Sequence, residues 1–197
     1  MTNFMQNITG VFKKDEALKV LSHPDKRLYQ PAEAIDNVTD EEIVSLIKGL
    51  KKSMKIHDGV GMAAPQVGVM KRIFIYNAGS EEEEPRVLIN PVITYYSDEL
   101  STSDEGCLSF PNIYFPVERS ERVTVTGLDE SGSSVTLEEI DGLLARIVQH
   151  ECDHLDGVMI TDRAKPHIRK LALRAYATYD QQPEEFITIV DDEEPAS

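Results

Sequence analysis

The stretch QHECDHLDG, residues 149–157, limits what this chain can fold into more than any other part of the sequence. It holds His150 and His154, four residues apart, with Glu151 directly after the first histidine. Residues i and i+4 of a helix share one face, so both imidazoles can direct a nitrogen to one point about 2 Å away, the usual metal–nitrogen distance. Glu151 lies beside that face and can reach a water held there without being a ligand. The spacing therefore predicts a helix that carries two metal ligands.

The alternative is an amphipathic helix whose histidines are hydrogen-bonded core residues, and a third ligand would decide against it. Downstream, only His167 is offered, and it lies on the next predicted helix. Upstream, EGCLSFP at 105–111 places Cys107 in a turn-like setting, and a loop thiolate with two imidazoles makes a Cys-His-His site. Cys152 lies two residues past the first histidine, so we expect it on another face of the helix, buried and not a ligand.

A third stretch, GVGMAAPQ at 59–66, has little side-chain bulk, which allows another backbone or a substrate to approach closely. Gln66 at its end offers an amide donor. Taken alone, this stretch is more typical of a tight, well-packed turn than of a binding site.

The first helix is predicted to begin at a capping box formed by Thr39 and Glu42. Apolar residues then recur at helical spacing through Met54. The tripeptide HDG at 57–59 ends this helix, because its glycine can adopt a positive φ. The residues that follow, 59–69, are predicted to be a loop.

Apolar residues typical of strands alternate in the middle of the chain between turn residues. The predicted strands span 72–77, 86–93, 122–129 and 134–140. Helices are predicted over 142–155 and 166–180. This order indicates one α+β domain with mostly antiparallel sheets around a central helix that bears HExxH, one helix in the N-terminal half and one C-terminal helix.

The formal charge of −15 is concentrated in two places. The run EEEE at 81–84 carries four acids, and residues 180–197 carry seven acids without a lysine or arginine. The remaining 24 acidic and 20 basic residues nearly balance, which argues against a direct nucleic-acid site. No apolar run approaches the roughly 18 residues of a membrane helix, and the start shows no signal peptide. We therefore expect a cytoplasmic protein without membrane contact.

Three of these stretches, in this order, resemble the three sequence motifs of the peptide deformylases. They are GVGMAAPQ at 59–66, EGCLS at 105–109 and QHECDH at 149–154. The resemblance runs from about residue 20 to about residue 180. The expected organisation is an N-terminal extension over 1–17, a deformylase-like catalytic domain over 18–180 and an acidic C-terminal tail over 181–197.

Peptide deformylases hydrolyse the N-formyl group from the formyl-methionine of nascent bacterial chains and release formate. By position, the resemblance implies that Cys107, His150 and His154 hold one divalent metal ion per chain, Fe(II) in the cell, with nickel, cobalt or zinc tolerated. It implies that Glu151 is the general base and acid. The implied partners are N-formylmethionyl peptides of nascent chains and, weakly, the ribosome.

The resemblance also assigns Gln66 and the backbone N–H of Leu108 as donors to an oxyanion, and Gly61 as part of the loop that lines the substrate. The chemistry fits these groups independently, because the tetrahedral intermediate of formamide hydrolysis carries an oxyanion. A side-chain amide and a backbone N–H aimed at that oxygen supply about 3 kcal/mol each.

Selectivity for methionine requires an apolar pocket, and Val60, Leu143 and Ile147 are the candidates. The alternative is that all three belong to the core. Arg146 also leans toward the site, where it either grips the peptide or holds the wall in place, and Glu105 is a partner for Arg146 or for Arg119.

Two other functions remain to be separated from deformylation. An HExxH metallopeptidase would cleave internal bonds, and the Cys107 motif upstream argues against it. A non-catalytic relative that only binds a metal or a formylated peptide would be expected to lack Glu151 or Gln66, and both are present.

Overall fold

A computed structural model describes residues 17–79, 83–179 and 186–191. The helices are α1 (Glu41–Ile56), α2 (Gly142–Leu155), α3 (Ile160–Arg163) and α4 (Pro166–Tyr179). The strands are β1 (Gly61–Ala63), β2 (Ile73–Tyr76), β3 (Arg86–Tyr96), β4 (Leu100–Cys107), β5 (Phe110–Ser120), β6 (Val123–Leu128), β7 (Ser134–Ile140) and β8 (Ile187–Thr188). Short 3-10 helices cover Lys26–Tyr29 and Ala64–Val67.

The strands form two sheets. The larger sheet has the order β1-β2-β3-β6-β7, and each neighbouring pair is antiparallel. The smaller sheet has the order β4-β5-β8, in which β4 and β5 form an antiparallel hairpin and β8 runs parallel to β5. The predicted α+β fold with mostly antiparallel sheets is confirmed.

Strand β2 shows why the larger sheet is covered on both faces. Its sequence IFIY is buried at every position. Ile73 and Ile75 pack in the core cluster that contains the apolar side of α1, whereas Phe74 and Tyr76 pack with α2. Alternate side chains of a strand point to opposite faces, so α1 and α2 lie on opposite sides of this sheet. Burial of the α2 side chains against the sheet fixes the helix that carries the two histidines.

The start and end of α1 differ from the prediction. The N-cap is Asp40, and the Thr39 hydroxyl donates to the side chain of Asn37, so no Thr39–Glu42 capping box forms. The positive φ after the helix belongs to Asp58, at 50°, and not to Gly59. The local bond to Asn37 satisfies the threonine hydroxyl outside the helix, and short polar side chains often make such bonds.

Part of the predicted loop 59–69 is ordered as β1 and a 3-10 helix, and the hairpin of β4 and β5 was missed. β4 is polar and mostly exposed, so it lacks the apolar alternation that identifies a strand. β5 contains Pro111 and Pro116, which count against a strand in a sequence-based assignment. Its apolar residues do alternate, and Ile113, Phe115 and Val117 are fully buried.

The C-terminal segment expected to be an acidic tail contains a folded part. Residues 186–191 include β8, which pairs with β5, and Ile189 is buried in the core formed by β5 and α4. The rest of that segment, and residues 1–16 of the expected extension, lie outside the described residues. None of the helices in the described ranges is long and apolar enough to cross a membrane.

Candidate active site

Cys107, His150 and His154 come together at one end of α2. Cys107 is the last residue of β4, and the histidines lie one helical turn apart on α2. One ligand atom from each lies within 4.8 Å of the others, and the Cys107 sulfur is 3.2 Å from Nε2 of His154. Ligand atoms around one tetrahedral ion are about 3.5 Å apart, given metal–ligand bonds of 2.0–2.3 Å. These three residues therefore fit a transition-metal ion.

Glu105 orients the first histidine. Its Oε2 lies 3.0 Å from Nδ1 of His150, which leaves Nε2 of that ring for a metal. Burial alone would raise the pKa of Glu105, but its hydrogen bonds with His150 and Arg119 hold that pKa well below its usual range. A buried, ionised carboxylate thus fixes both the tautomer and the direction of the ligand ring.

Two arginines surround Glu105, so both pairings considered from the sequence occur. Arg119 donates to both oxygens of Glu105, at 2.7 and 3.0 Å, and to Asp153 at 2.9 Å. Arg146 donates to Glu105 at 2.6 Å and, through its other terminal nitrogen, to the Ser101 carbonyl at 3.0 Å. Both terminal nitrogens of Arg146 are bonded within the protein, which makes this residue part of the wall that holds Glu105.

Glu151 lies beside the Cys-His-His group and is 4 % exposed. A Cβ at position 61 would lie 2.4 Å from Oε1 of Glu151, so only Gly61 allows the carboxylate to occupy this place. Its Oε2 is buried and has no hydrogen-bond partner among the described residues. Burial raises the pKa of Glu151 to about 7. The carboxyl group is therefore placed beside the three ligands without being fixed by a protein donor.

Gln66 presents its amide nitrogen to the same point. Its Oε1 accepts from the Ala63 N–H at 2.9 Å, which sets the direction of the amide group. Its Nε2 lies 3.6 Å from the Cys107 sulfur and 3.3 Å from the Ser109 hydroxyl. Leu108, whose backbone N–H was assigned as the second donor, lies in the turn between β4 and β5 and lines the cleft.

Gln66, Cys107, His150 and Glu151 line an open cleft of about 820 Å³, and His154 is buried next to them. The five residues assigned to substrate binding, Val60, Gly61, Leu143, Arg146 and Ile147, all line the cleft. Val60 and Leu143 are 48 % and 54 % exposed, so the alternative that they are plain core residues is wrong. Ile147 is buried and belongs to the core as well as to the lining.

Two residues weighed as ligands lie elsewhere. His167 pairs with Asp191 at 2.8 Å, away from the Cys-His-His group. Cys152 packs in the core between α2 and the larger sheet, and burial raises the pKa of its thiol to about 12. The prediction that Cys152 is buried and not a ligand agrees with this position.

Two aromatic residues of the cleft, Tyr114 and Phe186, were not predicted from the sequence. Tyr114 belongs to the unrecognised strand β5, and Phe186 to the segment expected to be a tail. The alternation of apolar residues along β5 was the signal that could have located Tyr114, since its side chain points away from the buried series.

Three ligands from a strand and a helix, with a buried carboxylate beside them at the base of an open cleft, define a metal-dependent hydrolase of the HExxH class. The family model described as Polypeptide deformylase matches residues 17–170. The chain belongs to the polypeptide deformylase family, whose members remove the N-formyl group from nascent polypeptides.

Individual relatives agree with this membership. Peptide deformylase 2 of Gloeobacter violaceus is 44 % identical over 163 residues, which are 80 % of this chain and 86 % of that protein. A peptide deformylase from Legionella pneumophila has a crystal structure that superposes with a TM-score of 0.79 at 34 % identity, covering 86 % of this chain and 99 % of that one. A structure from Ehrlichia chaffeensis in complex with actinonin gives a TM-score of 0.76 at 34 % identity, covering 85 % and 98 %.

Proposed function

We propose that this chain hydrolyses the formyl amide of N-formylmethionyl peptides at the Cys-His-His group and releases formate. The observation that carries the proposal is the convergence of Cys107, His150, His154, Glu151 and Gln66 on one point of the cleft. A ligand set, a free carboxylate and an amide donor are the three components that amide hydrolysis by an activated water requires.

Cys107, His150 and His154 would hold one divalent ion per chain. When bound, such an ion lowers the pKa of water toward neutrality and polarises the substrate carbonyl. Fe(II) is the ion we propose for the cell, with nickel, cobalt or zinc as substitutes, since one thiolate and two imidazoles suit all four. The hydrogen bond that His150 Nδ1 donates to Glu105 keeps the His150 ring aligned for this role.

Glu151 is the proton carrier in this proposal. Its Oε2 faces no protein donor within the described ranges, so this oxygen can accept a proton from water and return it to the leaving amine. Gly61 keeps the space in front of the carboxylate clear.

Gln66 and the backbone N–H of Leu108 stabilise the developing oxyanion. The hydrogen bond from the Ala63 N–H holds the Gln66 amide in place before substrate binds. The amide therefore does not have to reorient during the reaction. Each donor contributes about 3 kcal/mol to lowering the barrier.

The methionine side chain occupies the apolar part of the cleft. Val60, Leu143 and Ile147 provide that surface, and the small Gly61 lets the peptide backbone pass close to the loop. Arg146 supports this wall through Glu105 and leaves substrate contact to its neighbours.

The test is formate release from formyl-Met-Ala-Ser by protein whose metal is measured on the same sample. Formate should appear in proportion to metal content, and actinonin, which the Ehrlichia chaffeensis protein binds, should stop it. Cleavage of internal bonds without formate would indicate the metallopeptidase alternative. Binding of the peptide without turnover would indicate the non-catalytic one.

Purification in air is expected to inactivate the iron form, because a catalytic site keeps an open position through which oxygen reaches the iron and the Cys107 thiolate. Replacement of the metal by nickel or cobalt should preserve activity. The measurement is formate release over hours in air and under anaerobic conditions, with nickel-loaded protein as the control. Protein that is isolated with zinc, fully active and unchanged after long exposure to air would remove iron from the proposal.

We also propose a cellular location and a partner for this protein. A deformylase acts where nascent chains emerge, which implies the cytoplasm and a weak contact with the ribosome. Lys170 and Arg174 lie one turn apart and exposed on α4, and we propose that they take part in this contact. Cosedimentation with ribosomes that weakens as salt increases would support this contact.

A further inference from the structure

Phe186 lines the active-site cleft, although it lies beyond residues 17–170 that match the family model. Its ring packs edge-on against Tyr114, with centroids 5.7 Å apart and an interplanar angle of 66°. The Tyr114 ring in turn covers Gly106, where an added Cβ would lie 2.5 Å from it. Gly106 directly precedes Cys107, so an aromatic surface extends from the metal ligand outward along the cleft.

The segment that carries Phe186 is fixed to the domain. β8 pairs with β5, and the Ile189 N–H donates to the Tyr114 carbonyl at 2.8 Å. The Ile189 side chain is buried, and Asp191 accepts from Lys165 at 2.6 Å. These contacts follow Phe186 within five residues, so the ring is presented to the cleft by folded structure.

Phe186 is nevertheless 72 % exposed. A single exposed apolar residue is ordinary on a protein surface, but this one continues the lining of a cleft that already exposes Val60 and Leu143. The occupant that suits such a lining has more than one apolar side chain. The cleft is continuous with the site proposed for a formylated peptide, so the peptide is that occupant.

The position along the peptide follows from the spacing of the aromatic surface. Gly106 is one Cα–Cα step of about 3.8 Å from Cys107. A Cβ there would lie 2.5 Å from the Tyr114 ring, whose centroid is 5.7 Å from that of Phe186. Together these steps reach roughly 10 Å, and an extended peptide advances about 3.3 Å per residue, so the Phe186 ring lies about three residues beyond the formyl group.

We propose that Phe186, together with Tyr114, binds an apolar side chain at the third residue of the formylated peptide, counted from methionine. This inference rests on the proposed deformylase function and adds a preference contributed by a segment outside the family match. The contact is far from the reacting carbonyl, so it acts equally on bound substrate and transition state. It therefore lowers KM and leaves kcat unchanged.

The test compares formyl-Met-Ala-Phe with formyl-Met-Ala-Ser, using nickel-loaded wild-type protein and the variants Phe186→Ala, Phe186→Leu and Val190→Ala. Val190 is the matched control, because it is 66 % exposed on the same segment and outside the cleft lining. Wild type and Val190→Ala should prefer the phenylalanine peptide by roughly three- to ten-fold in kcat/KM, all of it in KM. Phe186→Ala should lose the preference, and Phe186→Leu should retain part of it.

A preference that survives in Phe186→Ala would overturn the proposal and leave the deformylase function standing. A loss in Val190→Ala as large as in Phe186→Ala would also overturn it, because docking of β8 and not the ring would then set the preference. Failure of the wild type to release formate from either peptide would defeat the proposed function, and this inference with it.

Discussion

Replacing Glu151 with glutamine is expected to remove most formate release while leaving the metal content unchanged. Glu151 is buried beside the three ligands, and within the described residues the metal-binding group is limited to Cys107, His150 and His154. Glutamine has the same shape but cannot take a proton from water or return it to the amine. The expected loss is roughly 10²- to 10⁴-fold in kcat.

The measurement pairs kcat with metal content by atomic spectroscopy on the same preparation. His150→Ala is the positive control for metal loss, and Glu138→Gln, at an exposed position of β7, controls for the change of charge. Metal loss in Glu151→Gln as large as in His150→Ala would make Glu151 a ligand and refute its assignment as the proton carrier.

The sequence predicted the helix of the site well, because its signals are local. α2 spans Gly142–Leu155, as predicted. Asp141 is at its N-cap position but makes no side-chain capping hydrogen bond, and Gly157 follows its end with a φ of 72°. The i, i+4 spacing of the histidines needs only that helix to be formed. The Cys-His-His group then required a single long-range contact, that of Cys107 with α2.

The wall around the site depends on pairings that no local pattern encodes. Glu105 meets Arg119 across the β4–β5 hairpin and Arg146 across the gap to α2, so its bonds exist only once two elements have docked. The sequence offered both arginines as alternatives, and the structure uses both. The three charged residues are close in space but far apart in the sequence, so no local pattern predicts that both arginines bind the same carboxylate.

The position of Phe186 could not be predicted from the sequence. The acidic composition around it predicts a solvated tail, yet β8 and Ile189 dock on β5 and α4. Two paired residues give a weak strand signal, and the docking depends on the apolar surface that β5 and α4 create together. The position of Phe186 at the cleft could not be predicted either, because the sequence indicates the cleft only through the three motifs.

Replacing Cys107 with serine is expected to empty the site or to shift its preference toward harder ions. A thiolate is a far better ligand than a hydroxyl for Fe(II), nickel or zinc. The loss of affinity should exceed the roughly 10- to 100-fold that removal of an outer hydrogen-bond partner costs. Measurement of metal retained after dialysis against a chelator, and of the Kd for nickel, gives the result without relying on turnover.

Cys152 provides a matched control, because the two cysteines are buried to nearly the same extent, at 9 % and 7 % exposure. Cys152→Ser places a hydroxyl in an apolar core, which should cost about 1 to 3 kcal/mol of stability and leave metal retention unchanged. Metal retention and thermal unfolding of the metal-free protein separate the two effects. Cys107→Ser should lower the metal content more than it lowers the stability of the metal-free protein. Cys152→Ser should lower the stability and leave the metal content unchanged. If Cys152→Ser emptied the site and Cys107→Ser did not, the ligand set would have to be assigned to the other face of α2.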